Sequence, residues 1–209
     1  MSTNPANYEA RAGHTGATDM ELWRFQWDGI TKDDQFPSTG NEKLCAPSDI
    51  PIQPGQIRIL SGKFVNFLFP PPYVVVLEEW RAGVWLVAPF SPVSVPADPH
   101  EMVWPGGMAF QEVVQCWNAR TVSDDLLIHS YGGEQSMDAE SLEDAKALFR
   151  NAMSGKPLPE GFRAIRGSPI ESSDDPRREY ISHEMYRLQP LTEAEKAREA
   201  ELARKEAAP

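Results

Sequence analysis

The sequence predicts an α+β chain: a mainly β core, a small barrel or sandwich, with accessory helices. Three observations predict it. From Ile50 onward, short β-rich runs alternate with Pro and Gly; one amphipathic helical pattern follows at 136–154; and the chain finishes in a charged, Ala-rich helical stretch. A length of 209 residues fits one core with long appendages, and 41% hydrophobic with 24% charged residues is a globular mixture. Nineteen prolines and a mean hydropathy of −0.46 add long irregular connections.

Residues 1–19, rich in Ser, Thr, Asn, Gly and Ala without an apolar period, read as a flexible tail. Met20, Leu22, Trp23, Phe25, Trp27 and Ile30 then form a dense apolar cluster with partial alternation, so 20–49 reads as an extension docked on the core. The alternative is an exposed aromatic patch for a partner. Strands are expected at 56–60, opened by Pro54-Gly55, and at 73–79, entered through Pro70-Pro71-Pro72. A third at 83–90 pairs with the second as a hairpin across Arg81-Ala82. Residues 93–95, between Pro92 and Pro96, form a short edge element, 97–110 a long loop, and 112–119 the last long strand.

A helix is predicted at 136–154, where Leu142, Ala145, Leu148, Phe149, Ala152 and Met153 recur at three- and four-residue spacing; Gly155 and Pro157 end it. Core and helix together span 50–157. A C-terminal helical extension, 158–209, carries one helix starting at Pro176 with Tyr180, Ile181, Met185 and Leu188 as its apolar stripe. Another runs over 193–207 behind the capping box Thr192-Glu193-Ala194-Glu195. Its Ala, Glu, Lys and Arg content predicts a solvated, fraying helix.

Twenty Lys plus Arg against 31 Asp plus Glu give a net charge of −11, which repels polyanions and makes nucleic acid and anionic membranes poor partners. Two cysteines, Cys45 and Cys116, supply no disulfide framework and read as reduced thiols; Cys116 is expected in the core. The longest uncharged apolar stretch, 64–77, is too short and proline-rich to span a bilayer, and the N-terminus has no signal-like run, so the chain reads as cytoplasmic. No phosphate-cradling loop occurs, and the four histidines lack metal-ligand spacing, so neither cofactor nor metal is expected. The pairs Glu78-Glu79, Asp124-Asp125 and Asp174-Asp175 are read as strand or cap residues, not as catalysts.

The order of the middle segment carries a resemblance. Gly55-Gln56-Ile57-Arg58-Ile59-Leu60, then proline with Tyr73-Val74-Val75-Val76-Leu77, then Val84-Trp85-Leu86-Val87-Ala88-Pro89-Phe90-Ser91, then Val114-Gln115-Cys116-Trp117-Asn118-Ala119-Arg120-Thr121-Val122 resembles the PemK/MazF family of toxin endoribonucleases over about residues 54 to 128. The resemblance implies a closed five-stranded SH3-like β-barrel with a helix, often dimeric, and metal-independent RNA cleavage. It places Ser91 at the family's catalytic hydroxyl position and matches Arg120 and Thr121 to a bracing pair. The family's basic residue before the strand-entry proline is here Pro71, which can neither move a proton nor stabilise a phosphorane.

Residues 51–135 hold four cations, Arg58, Lys63, Arg81 and Arg120, against eight carboxylates, thin provision for an RNA groove. The reading that follows is a non-catalytic, toxin–antitoxin-derived barrel that binds a protein partner, using Arg58, Arg81, Trp85, Trp117, Arg120 and Thr121. The alternative is an endoribonuclease in which Arg58, Arg81 or Arg120 replaces the lost cation beside Ser91. Under either reading the acidic segment 171–209 is long enough to fold back as a cover over the groove.

Overall fold

A computed structural model describes residues 19–32, 50–60, 72–106, 112–128 and 135–206. In chain order they form α1 (Asp19–Lys32), β1 (Ile57–Ile59), β2 (Tyr73–Arg81), β3 (Val84–Pro89), β4 (Glu101–Val103), β5 (Val113–Gln115), a 3-10 turn (Cys116–Asn118), β6 (Arg120–Ser123), α2 (Asp124–Ile128), α3 (Ala139–Ser154), α4 (Arg177–Arg187) and α5 (Gln189–Glu206). The readings made for the N-terminal tail, Cys45 and Pro71 lie outside the described residues.

β2 and β3 form the expected hairpin, and an antiparallel sheet of order β1-β2-β3-β6 grows from it. Along β2, Val75 and Leu77 pack on one side with Ile57, Leu86, Ala88 and the α3 residues Leu142, Ala145 and Leu148. Val74 and Val76 pack on the other with Leu60, Val87, Val122, Leu127 and Leu191 of α5. Covered on both faces, the strand is a continuous apolar run instead of an alternating one. α3 is held at its start by Asp138, whose carboxylate accepts from Ser141 N at 2.9 Å.

The expected barrel closure is not found: among the described residues no sheet closes, and β4 and β5 form a separate two-stranded ribbon joined to β3 by the single bridge Phe90–Val114. The cause is local. The strand expected at 112–119 is broken by the 3-10 turn, whose Ala119 N–H returns to Cys116 O at 3.4 Å. Before the turn, Val113–Gln115 pairs with β4; after it, Arg120–Ser123 pairs with Val84–Val87. The loop expected at 97–110 contains β4, a three-residue strand between Pro99 and Pro105 that is too short to give a pattern. The edge element expected at 93–95 is not a strand; Val93 and Val95 lie buried beneath α1.

The aromatic cluster of the N-terminal extension is helical. Trp23 and Trp27, four residues apart, share one face of α1, and both are buried against Val93, Val95, Ala97 and Tyr180. α5 begins at Gln189, four residues before the expected 193, and is seated at that end, where Leu191 is buried and Glu195 Oε1 accepts from Ser123 N at 3.1 Å; the described residues from 193 onward are exposed or half-buried, and the pair of Arg198 with Asp125 at 3.0 Å is solvent-exposed.

Gly55, at φ +88°, ties β1 to its surroundings. Its N–H donates to Val76 O at 2.7 Å and its carbonyl accepts from Met137 N at 2.8 Å. A Cβ there would sit 3.0 Å from Ser136 Oγ and 3.1 Å from Met137 O. Gly55→Ala is therefore expected to destabilise the chain by about 1–3 kcal/mol in urea unfolding.

Candidate functional site: a plugged hydroxyl

Ser91 follows β3, where its N–H donates to Val113 O at 2.8 Å. Its side chain is sealed: the residue is 2% exposed, Oγ accepts from Val93 N at 3.1 Å, and Oγ lies 2.7 Å from Tyr180 Oη. Tyr180 comes from α4, 89 residues further along the chain. Its own hydroxyl donates to Glu101 Oε1 at 2.8 Å and accepts from Gln115 Nε2 at 2.8 Å. Because the phenol has one proton and gives it to Glu101, the Ser91 hydroxyl is the donor in the Ser91–Tyr180 bond.

The network continues in both directions. Glu101 Oε2 accepts from Ala97 N at 2.6 Å and Oε1 from Trp117 Nε1 at 3.0 Å. Gln115 Nε2 uses its second proton on Glu184 Oε2 at 2.9 Å, and its Oε1 accepts from Asn118 Nδ2 at 3.1 Å. Glu184 is also paired with Arg187 at 3.0 Å, and Arg187 Nη2 donates to Phe90 O at 3.3 Å, one residue from Ser91. α1 forms the roof: Trp23 and Trp27 meet the Tyr180 ring edge-on at centroid distances of 5.8 and 5.3 Å. Arg177 fastens the start of α4, donating to Ala97 O at 3.0 Å while it pairs with Asp175 at 2.6 Å; this guanidinium holds the Asp175 carboxyl below its usual range.

Two carboxylates at this interface are driven apart by their neighbours. Burial pushes Glu101 up to about 7, against the hydrogen bonds from Ala97, Trp117 and Tyr180. Burial also acts on Glu184, but Arg187, His183 and Gln115 outweigh it and hold this carboxyl below its ordinary value. Burial and then the charge of Glu101 raise both the Tyr180 phenol and the Cys116 thiol, so neither ionises near neutrality. What the cluster does is bind a helix.

Of the residues singled out from sequence, the structure brings Ser91 and Trp117 into this one network. The others lie apart from it. Arg58 is fully buried and donates to Leu127 O at 2.8 Å, Ile50 O at 2.8 Å and Gln56 Oε1. Arg81, at the hairpin end, pairs with Glu199 of α5 at 2.8 Å. Arg120 donates to Ala119 O at 3.0 Å, Thr121 is half-buried opposite Leu86, and Trp85 packs against the second core cluster. Among the described residues, none of the three arginines named as replacement cations is bonded to Ser91.

Sequence reasoning did not single out Glu101, Gln115, Asn118, Tyr180, Glu184 or Arg187 as site residues. The apolar stripe expected on α4 included Met185, which is 52% exposed; the buried face is Arg177, Tyr180, Glu184 and Arg187. Their spacing of three and four residues was the available signal, hidden because a period carried by charged side chains is normally read as a solvated face. Among the described residues no group of His, Cys, Asp and Glu is arranged to hold a metal ion, and no helix is long and apolar enough to cross a membrane.

No protein-family model matches the chain, and no curated protein matches it. Among solved structures it is similar to an endoribonuclease in complex with its cognate antitoxin from Mycobacterial species, at 12% identity and a TM-score of 0.39 over 52% of this chain and 100% of that one. It is also similar to an endoribonuclease from Mycobacterial species, at 11% identity and a TM-score of 0.40 over 54% and 100%. A third is MazE–MazF from Deinococcus radiodurans, at 15% identity and a TM-score of 0.41 over 51% and 98%.

Proposed function

We propose that this chain is a non-catalytic, toxin–antitoxin-derived core of PemK/MazF type that acts as a cytoplasmic protein-interaction or regulatory module. One observation carries the reading: the hydroxyl at the position of the resemblance's catalytic residue, Ser91, is 2% exposed and bonded to Tyr180 of the chain's own α4. No phosphodiester reaches Ser91 while α4 stays in place, and a phosphate entering there meets Glu101 and Glu184. Pro71 in the sequence and the engagement of Arg58, Arg81 and Arg120 elsewhere support the same conclusion.

The alternative reading, an endoribonuclease with a relocated cation, is favoured by one contact: Arg187 reaches the carbonyl of Phe90, next to Ser91. Incubating the full chain with single-stranded RNA in EDTA separates the two. The expected result is intact RNA at high protein concentration; cleavage that disappears in Ser91→Ala would overturn the proposal.

A further inference from the structure

Outside the Ser91 network there is a cavity of about 150 Å³ where α1, the segment at 95–96, residues 165–168 and the start of α4 meet. Its body is apolar: Met20, Trp23, Val95, Pro96 and Ile165 line it, and Met20 and Ile165, 37% and 43% exposed, mark its mouth. The 165–168 wall is fixed to β4. Ile165 O accepts from Val103 N at 2.9 Å, Arg166 bridges to Met102, and Gly167 lies so close to Asp98 that a Cβ would sit 2.6 Å from the N and O atoms of that residue. Arg177 of α4 braces the same wall, with Nη1 3.0 Å from both Ser168 O and Ser168 Oγ, and its other bonds go to Ala97 O, Pro169 O and Asp175.

The polar side-chain groups of the lining that are still unspent are all donors. Ser168 Oγ accepts from Arg177, which leaves its own proton free. Arg166 commits Nη1 to Pro99 O at 3.4 Å and rests over the Phe162 ring at 5.4 Å, without a carboxylate partner among the described residues. Trp23 is 1% exposed and its Nε1–H has no hydrogen-bond partner among the described residues, an uncommon state for a buried indole. Among the described residues no Asp or Glu lines the cavity, and Asp175, bonded to the lining residue Arg177, is spent on it.

We propose that this cavity binds a small organic monocarboxylate with a ring-sized apolar body. A volume near 150 Å³ admits one benzene-sized group, and the apolar walls favour its burial. A lining that offers donors and the uncompensated Arg166 guanidinium selects a carboxylate over an amine or a neutral end group. The site is separate from Ser91, whose bonds run to Val113, Val93 and Tyr180, so it stands whether or not RNA is cut. Because α1 supplies one wall and the body the others, the bound acid ties them together and stabilises the folded chain by mass action.

The test titrates the full chain with benzoate, benzyl alcohol and acetate at constant ionic strength. It follows thermal melting and the Trp23 indole N–H resonance, identified by its loss in Trp23→Phe; calorimetry makes the same comparison if that variant does not fold. Benzoate is expected to shift the resonance saturably and to raise the melting temperature, with benzyl alcohol and acetate each bound at least about tenfold more weakly. Arg166→Gln should weaken benzoate roughly 3- to 10-fold. Ile165→Glu, which sets a carboxylate at the mouth, should abolish binding. Both side chains are exposed, so neither substitution threatens the fold. No saturable response to benzoate, benzyl alcohol bound as tightly as benzoate, or benzoate binding undiminished in Ile165→Glu would overturn the site.

Discussion

Tyr180→Ala is expected to destabilise the chain by about 3–5 kcal/mol in urea unfolding, the cost typical of truncating a large, fully buried aromatic. The ring is 0% exposed and meets both Trp23 and Trp27, so its loss opens a cavity at the junction of α1, α4 and the core. The hydroxyl is the common partner of Ser91, Glu101 and Gln115, and Tyr180→Phe isolates that share at about 1–3 kcal/mol. Tryptophan fluorescence should report the change directly, because Trp23 and Trp27 lose the surface they pack against. A loss below about 1 kcal/mol for Tyr180→Ala would mean that α4 is not seated on the core in solution.

Arg58→Met is expected to cost about 3–5 kcal/mol, since a buried, multiply bonded guanidinium is replaced by a side chain that donates nothing. Arg58 pins the start of the described core to its far end: Nη1 reaches Leu127 O and Nη2 reaches Ile50 O, both at 2.8 Å. Burial lowers its own proton affinity, as it does for Arg120. Arg81 provides the contrast. Its pair with Glu199 is solvent-exposed, and Arg81→Ala should change stability by no more than about 0.5 kcal/mol. Thermal melts of the two variants side by side distinguish an internal staple from a surface pair. Equal effects would contradict the assignment.

The hairpin of β2 and β3 was legible because Val74 to Leu77 and Val84 to Ala88 are apolar runs bounded by Pro and Gly, a pattern strong enough to place both strands within two residues. α3 was legible for the same kind of reason, its stripe being apolar. The break at Cys116–Asn118 was not, because the turn itself carries Cys116 and Trp117, which continue the apolar residues Val113 and Val114 as one strand would. α1 was not legible as a helix, because with tryptophan at 23 and 27 and Phe25 between them alternation and helical period overlap. Ser91 was found by motif order, yet its surroundings depend on pairings 65 to 89 residues apart, between side chains that in isolation read as solvated. Only tertiary placement makes Glu184 an internal residue.

The separation between Ser91 and its helical stopper also sets a clock on synthesis. At 5–20 residues per second, the 89 residues between them take roughly 5–20 s to make, and during that interval a nascent chain displays an uncapped serine with its neighbouring glutamine and acid. A polypeptide halted before residue 177 lacks Tyr180, Glu184 and Arg187, the α4 side chains bonded around Ser91, and the buried Leu191 as well. Premature termination therefore yields a different surface, not merely a shorter version of the same one.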